Sequence, residues 1–210
     1  MTRRGGVPDR RVRTKGQALV EFTIVVPVFL FILTGMLEFG LAFSDKLTLG
    51  NATREGARVG AALATGSDTA CSGDPSGVDK SIVASMQFIL KSGGSDVNLA
   101  HITAIHIFKA DSVGHQIGGT VNTWVYTPGA GPDADPGPGT EILDFSPTSQ
   151  PWPACLRDNG SAAPDSIGVS IDYSYYLQTP LAAIGTLVGS SQGANIPIAD
   201  STVMALNPTS

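Results

Sequence analysis

The dominant feature of the apolar and polar pattern is a mostly apolar run over residues 18–43, interrupted by one acid near each end, Glu21 and Glu38. At 1.5 Å per residue, roughly 20 apolar residues cross the hydrocarbon core of a bilayer, so this run predicts a membrane-spanning helix. Pro27 removes one helical N–H and predicts a kink in its inner third. Beyond Phe43 the pattern turns amphipathic without stopping. Leu49, Ala52, Gly56, Val59 and Leu63 recur every three or four residues, with Asn51, Arg54, Glu55 and Arg58 on the other side. The helix is therefore expected to leave the membrane, pack on an outer domain and stop at Gly66. Ala52, Gly56, Gly60 and Ala64 form a row of small residues at steps of four. Such a row lets another backbone approach closely, either an element of the same domain packed on the helix or another subunit.

Further along, Ile82, Met86 and Ile89 or Leu90 share a face and predict a second helix over residues 78–91, ended by Gly93-Gly94. Residues 101–110 (HITAIHIFKA) read as a strand, DSVGHQIGG as turn and 120–126 (TVNTWVY) as the returning strand. The Pro- and Gly-rich residues 128–140 are expected to form a loop without helix or sheet. Residues 167–176 alternate strictly, with Val169, Ile171, Tyr173 and Tyr175 on one face and Ser170, Asp172 and Ser174 on the other, as a half-buried strand does. Residues 179–188 predict a short apolar helix and 196–206 a final edge strand. The sum is an α+β chain of pilin-like shape, a long N-terminal transmembrane helix extending into an ectodomain with an antiparallel sheet of about four strands. Its expected divisions are a basic leader (1–16), the span (17–43) and an outer domain (44–210).

Charge orients this arrangement. Six of the thirteen Lys and Arg (Arg3, Arg4, Arg10, Arg11, Arg13, Lys15) precede the run against the single acid Asp9, whereas from Ser44 onward seven bases face fifteen acids. A Lys/Arg excess beside one end of a span keeps that end in the cytoplasm, so the C-terminal domain is expected to be extracytoplasmic. Its acidic balance offers no clustered basic face for nucleic acid. The run is also too long, and too much interrupted by acids and proline, for a removed secretory signal. Cys71 and Cys155 both fall on the outer side, where a disulfide persists, and a bond between them would close a loop worth about 4 kcal/mol in the chain-entropy model. A metal pair or two free thiols are the alternatives.

Candidate chemistry is sparse. The sequence carries no HExxH, GxSxG, P-loop or dinucleotide fingerprint. His101 and His106 are an odd number of residues apart on one strand and face opposite sides, and His115 lies in the turn, so no shared metal site is expected. Asp133 and Asp135 lack the further oxygen ligands of a calcium site. No metal, cofactor or catalytic residue is nominated. One motif remains: GQALVEF sets Gly16 five residues before Glu21 where the basic tail meets the apolar helix. Cleavage between Gly16 and Gln17 would create an α-amino cation one helical turn from Glu21, able to pair with it within or between chains and to set the register of packed helices. Glu38 is either a second paired acid or a carboxylate reaching headgroup water.

The segment GQALVEFTIVVPVFLFILTGMLEFGLAF, followed by NATREGAR, resembles the TadE-like proteins of the tight adherence (Flp, type IVb) pilus system. The resemblance rests on Gly16, Val20, Glu21, Phe22, Pro27, Glu38 and Gly40, then on Asn51, Ala52, Arg54, Glu55, Ala57 and Arg58. It implies a non-catalytic minor pilin or pseudopilin in pilus assembly and adhesion. A prepilin peptidase would cut it after Gly16, and its partners would be other pilins, the inner-membrane assembly platform and the lipid bilayer. Assembly would use Glu21, Phe22, Pro27, Glu38 and Gly40. The alternative is an uncleaved single-pass membrane protein whose extracytoplasmic domain binds a partner or ligand, and an extracytoplasmic hydrolase is a third, weaker reading.

Overall fold

The computed structural model describes residues 14–63, 77–92, 97–131, 142–160, 163–179 and 195–207. One helix, α1 (Thr14–Ala62), runs without interruption through Pro27 and through the expected boundary at residue 43. A second helix, α2 (Gly77–Lys91), begins and ends within a residue of its expected bounds. Five strands follow: β1 (Ile102–Ala110), β2 (Gln116–Gly131), β3 (Leu143–Ser149), β4 (Ser166–Tyr176) and β5 (Asn195–Ala205). They form one fully antiparallel sheet in the order β3-β2-β1-β4-β5. The fold is α+β, a long apolar helix leading into an antiparallel sheet.

The outer half of α1 and all of α2 cover one face of the sheet, with α1 lying along β4 and β5. The alternation of β4 sends Ile167, Val169, Ile171, Tyr173 and Tyr175 into this core, where they meet Ile105 and Ile107 of β1 and Ile82, Val83 and Met86 of α2. Because strand side chains alternate faces, one residue of slippage would expose the whole set. The small-residue row of α1 is used inside this core. A Cβ on Gly56 would lie 2.8 Å from Met86 Cγ, and one on Gly60 would lie 2.7 Å from Ile167 Cδ1 and 3.0 Å from Ile82 Cδ1. Ala52, Gly56 and Gly60 therefore seat α2 and β4 of the same chain, which is the first of the two uses their spacing allows. Ala64 lies outside the described residues, as do Cys71, Asp133, Asp135 and the apolar stretch expected as a helix over 179–188, apart from Thr179.

Three expectations about the sheet need correction. β3 is a fifth strand, and Pro147 within LDFSPTS obscures it in the sequence. β3 lies at the sheet edge, the position in a sheet where a proline is tolerated. The β1–β2 turn is shorter than DSVGHQIGG: Asp111 Oδ1 accepts from the N–H groups of Val113 (3.0 Å) and His115 (2.8 Å), and Gly114 adopts φ +88°. The turn is thus closed at His115, and Gln116 already pairs with Ala110. β2 also continues through Pro128 to Gly131. Its pairing with β1 has ended by then, so Pro128 needs no partner on that side, and a bulge at the positive-φ Gly129 carries the strand on to pair Gly131 with Leu143.

A buried polar knot ties the far side of the sheet to α2. Asp79 and Arg157 form an ion pair from which solvent is excluded. Asn122 donates to Asp79 (2.6 Å) and to the Trp152 carbonyl (2.7 Å), and it accepts from Trp152 N–H (2.8 Å). The Arg157 guanidinium also lies 4.7 Å from the centre of the Trp152 ring. The knot joins α2, β2 and the segment around residues 150–157, which includes Cys155, and so fixes that segment against the core.

Candidate functional site: an exposed helix and its junction with the head

α1 has two halves with opposite environments. From Gln17 to Leu37 no residue is buried, although Leu19, Phe22, Ile24, Leu30 and Met36 are among its side chains. Among the described residues it is the one helix long and apolar enough to cross a membrane. A soluble domain rarely exposes so continuous an apolar surface, and 21 residues of helix extend roughly 32 Å, close to the thickness of the hydrocarbon core.

At its inner end Gly16 has open space around it. Gln17 Nε2 donates to Glu21 Oε1 at 3.1 Å, one helical turn on, so the two polar side chains satisfy each other on the exposed helix. Phe22, Pro27 and Gly40 are also exposed, and the structure joins none of them to the head.

Glu38 is different. It is 5% exposed, and the head surrounds its carboxylate with donors. Tyr175 O–H donates to Oε1 at 2.7 Å, Gln178 N–H to the same oxygen at 2.9 Å, and Thr179 N–H to Oε2 at 3.0 Å. This overturns the reading of Glu38 as an acid reaching headgroup water. Two turns further, Asp45 is buried as well and accepts from Tyr173 O–H at 3.2 Å. Glu38 and Asp45, two turns apart on one face of α1, thus meet Tyr175 and Tyr173, two residues apart on one face of β4, as two rungs of one ladder. Burial, with the Asp45 carboxylate beside it, pushes the Tyr173 phenol up to about 12. Burial and the bond to Glu38 raise the Tyr175 phenol further.

On the neighbouring face, α1 is tied to β5. Lys46 Nζ bonds Asp200 Oδ1 at 2.8 Å and the Ala199 carbonyl, while Thr53 Oγ1 donates to Asp200 Oδ2 at 2.7 Å. Sequence reasoning missed the tyrosine hydroxyls and Asp200 as partners. A signal was present, because two acids seven apart on the inward face of a helix require donors, and two tyrosines on the inward face of a strand supply them. The Asp79–Arg157 knot left no comparable signal.

The histidines do structural work. His106 Nδ1 lies 3.2 Å from Thr123 Oγ1 and its Nε2 3.3 Å from Asp172, while His101 packs on Tyr176 with ring centres 4.4 Å apart. Among the described residues no group of three His, Cys, Asp or Glu side chains converges in a way that would hold a metal ion.

Residues 16–58 match the family model of TadE-like proteins. That TadE-like segment takes in the whole exposed half of α1 and the part of its outer half that carries Glu38, Asp45, Lys46 and Thr53. The sheet, α2 and the polar knot lie beyond it. Neither the curated proteins nor the solved structures give a match to the chain.

Proposed function

We propose that this protein is a TadE-like pseudopilin, or minor pilin, that acts structurally in tight adherence pilus assembly and surface adhesion and performs no catalysis. The observation that carries the reading is the exposed apolar part of α1, which lies wholly within the TadE-like segment and is bonded to a folded head through Glu38. An apolar rod of this length suits a bilayer first and a bundle of like helices second, and a firm junction lets the head move with the rod. In this reading residues 1–16 are a cytoplasmic leader, 17–43 the span and 44–210 the extracytoplasmic domain. Prepilin peptidase, other pilins and the inner-membrane assembly platform are the partners.

Sequencing the N-terminus of the membrane-extracted protein tests the maturation step. A new end at Gln17 supports the pseudopilin, whereas an intact arginine tail favours a fixed single-pass protein whose outer domain binds a partner. The role of Glu21 is tested separately. Among the described residues its bond is to Gln17, and cleavage would place an α-amino cation within its reach. Glu21→Ala is expected to insert normally into membranes and to be lost from the assembled pilus or its complex; normal incorporation of the variant would remove the pairing role.

A further inference from the structure

The strand registers and the Glu38 junction together fix which end of the head faces the membrane. Glu38 holds the chain just beyond β4, at Gln178 and Thr179. Tyr176, at the end of β4, pairs with Asn195, and Tyr175 with Ile196, so the start of β5 lies at the same level. Phe39 and Phe43 occupy the turns of α1 immediately beyond Glu38. All of these residues are therefore at the level where the free part of α1 ends, at Leu37, and that free part already matches the hydrocarbon thickness.

This end is apolar where the sequence had every opportunity to be polar. Phe39 is 71% exposed, Phe43 54%, Ile196 47% and Tyr176 46%. Phe39 and Phe43 stack on each other in the open, with ring centres 6.3 Å apart. Between them and the start of β5 runs an open groove of about 320 Å³, floored by Ala42, Pro197 and Ile198. Lys46 stands on its outer rim, bonded to Asp200. Apolar side chains next to the span, an amphipathic tyrosine and a lysine one step farther out follow the order of a membrane interface.

We propose that this rim, formed by Phe39, Phe43, Tyr176 and Ile196, seats in the headgroup layer of the bilayer that α1 crosses, so that the head sits on the lipid surface. The inference rests on α1 being a span and adds to it a second contact with the membrane. The occupant is lipid because the rim adjoins the exposed apolar surface of α1 at a depth set by the length of the free helix, with the exposed Asn195 standing among its apolar members. The headgroup layer is roughly 5–7 Å thick on each side; Phe39 stands roughly 3 Å of helix beyond Leu37, inside that layer, and Phe43 roughly 9 Å beyond it, at the layer's outer boundary, from which its side chain reaches back toward Phe39.

Tryptophan reporters added one at a time to the full chain, reconstituted into phosphatidylcholine–phosphatidylglycerol vesicles, test this. The native Trp124 and Trp152 are buried and give a steady background. Tyr176→Trp and Ile196→Trp report on the rim, Leu30→Trp on mid-span, and Val113→Trp, 72% exposed in the β1–β2 turn at the opposite end of the head, on water. The rim reporters are expected to lose about half of their added emission to lipids brominated near the headgroup and less to lipids brominated deep in the chain. Leu30→Trp should respond most to the deep label and Val113→Trp to neither. If Leu30→Trp is quenched while both rim reporters behave like Val113→Trp, the seating is overturned and the span stands. If Leu30→Trp is also silent, the span itself fails and takes the seating with it. Rim reporters shielded from both brominated lipid and aqueous acrylamide would be covered by protein, which equally overturns the proposal.

Discussion

At the scale of single residues, Glu38 carries the most consequence. Its two carboxylate oxygens accept hydrogen bonds from the Tyr175 hydroxyl on β4 and from Gln178 and Thr179 just after it. Glu38→Ala leaves the buried Tyr175 hydroxyl without its partner, a cost of about 1–3 kcal/mol, and removes the bonds to the more exposed Gln178 and Thr179 N–H groups, so the head is expected to lose about 3 kcal/mol, read as a lower denaturation midpoint in detergent. Tyr175→Phe removes one bond and should cost less. The second rung of the ladder gives a pH dependence. The folded-state phenol of Tyr173 lies at about 12, above the ordinary value of about 10. A raised value means that the contribution is complete below the unfolded pKa and is lost as pH climbs through the folded one. Thermal stability should therefore hold up to about pH 10 and fall between about 10 and 12, and Tyr173→Phe should flatten part of that fall. A melting series across alkaline pH that is identical for the two proteins would contradict this assignment.

At the scale of elements, the outer half of α1 was legible because its three- and four-residue spacing has one physical cause, a face that must be covered. Of the expected inward face Leu49, Ala52 and Gly56 are buried, Val59 is half-buried and Leu63, just past the end of the helix, is exposed; opposite them Asn51, Arg54 and Arg58 are exposed and Glu55 is half-buried. The pattern could not say what covers that face. The close approach of Ile82 and Ile167 to Gly60 answers it, and it makes a test: Gly60→Val should overpack the contact of α1 with α2 and β4 and cost about 2 kcal/mol, measured by denaturant unfolding. β4 was legible for a similar reason, since strict alternation identifies a sheet face. β3 was not, because seven residues with a central proline give no periodic signal, and only its place at the sheet edge makes them a strand.

At the scale of the whole molecule, two ties hold parts distant in sequence together. One is the buried Asp79–Arg157 pair with Asn122 and Trp152. The other remains a proposal, the Cys71–Cys155 disulfide, whose first partner lies outside the described residues. Arg157 anchors the segment bearing Cys155, so a bond there would fasten a chain already fixed to the core. Cys155→Ser is expected to lower stability by about 4 kcal/mol under oxidising conditions and to change little once dithiothreitol is present. Equal melting temperatures for the variant and the unmodified protein in oxidising buffer would remove the disulfide from the account.

The sequence by itself determined the long apolar helix, its amphipathic continuation and the half-buried strand. Each of these is a one-dimensional pattern set by the solvent on either side of a single element. The tertiary structure alone decided what those elements meet: that Glu38 is received by tyrosine and backbone donors, that the glycine row seats α2 and β4, and that Asp79 finds Arg157. Such pairings depend on the relative placement of segments far apart in the chain, and hydrophobic periodicity contains no term for that distance.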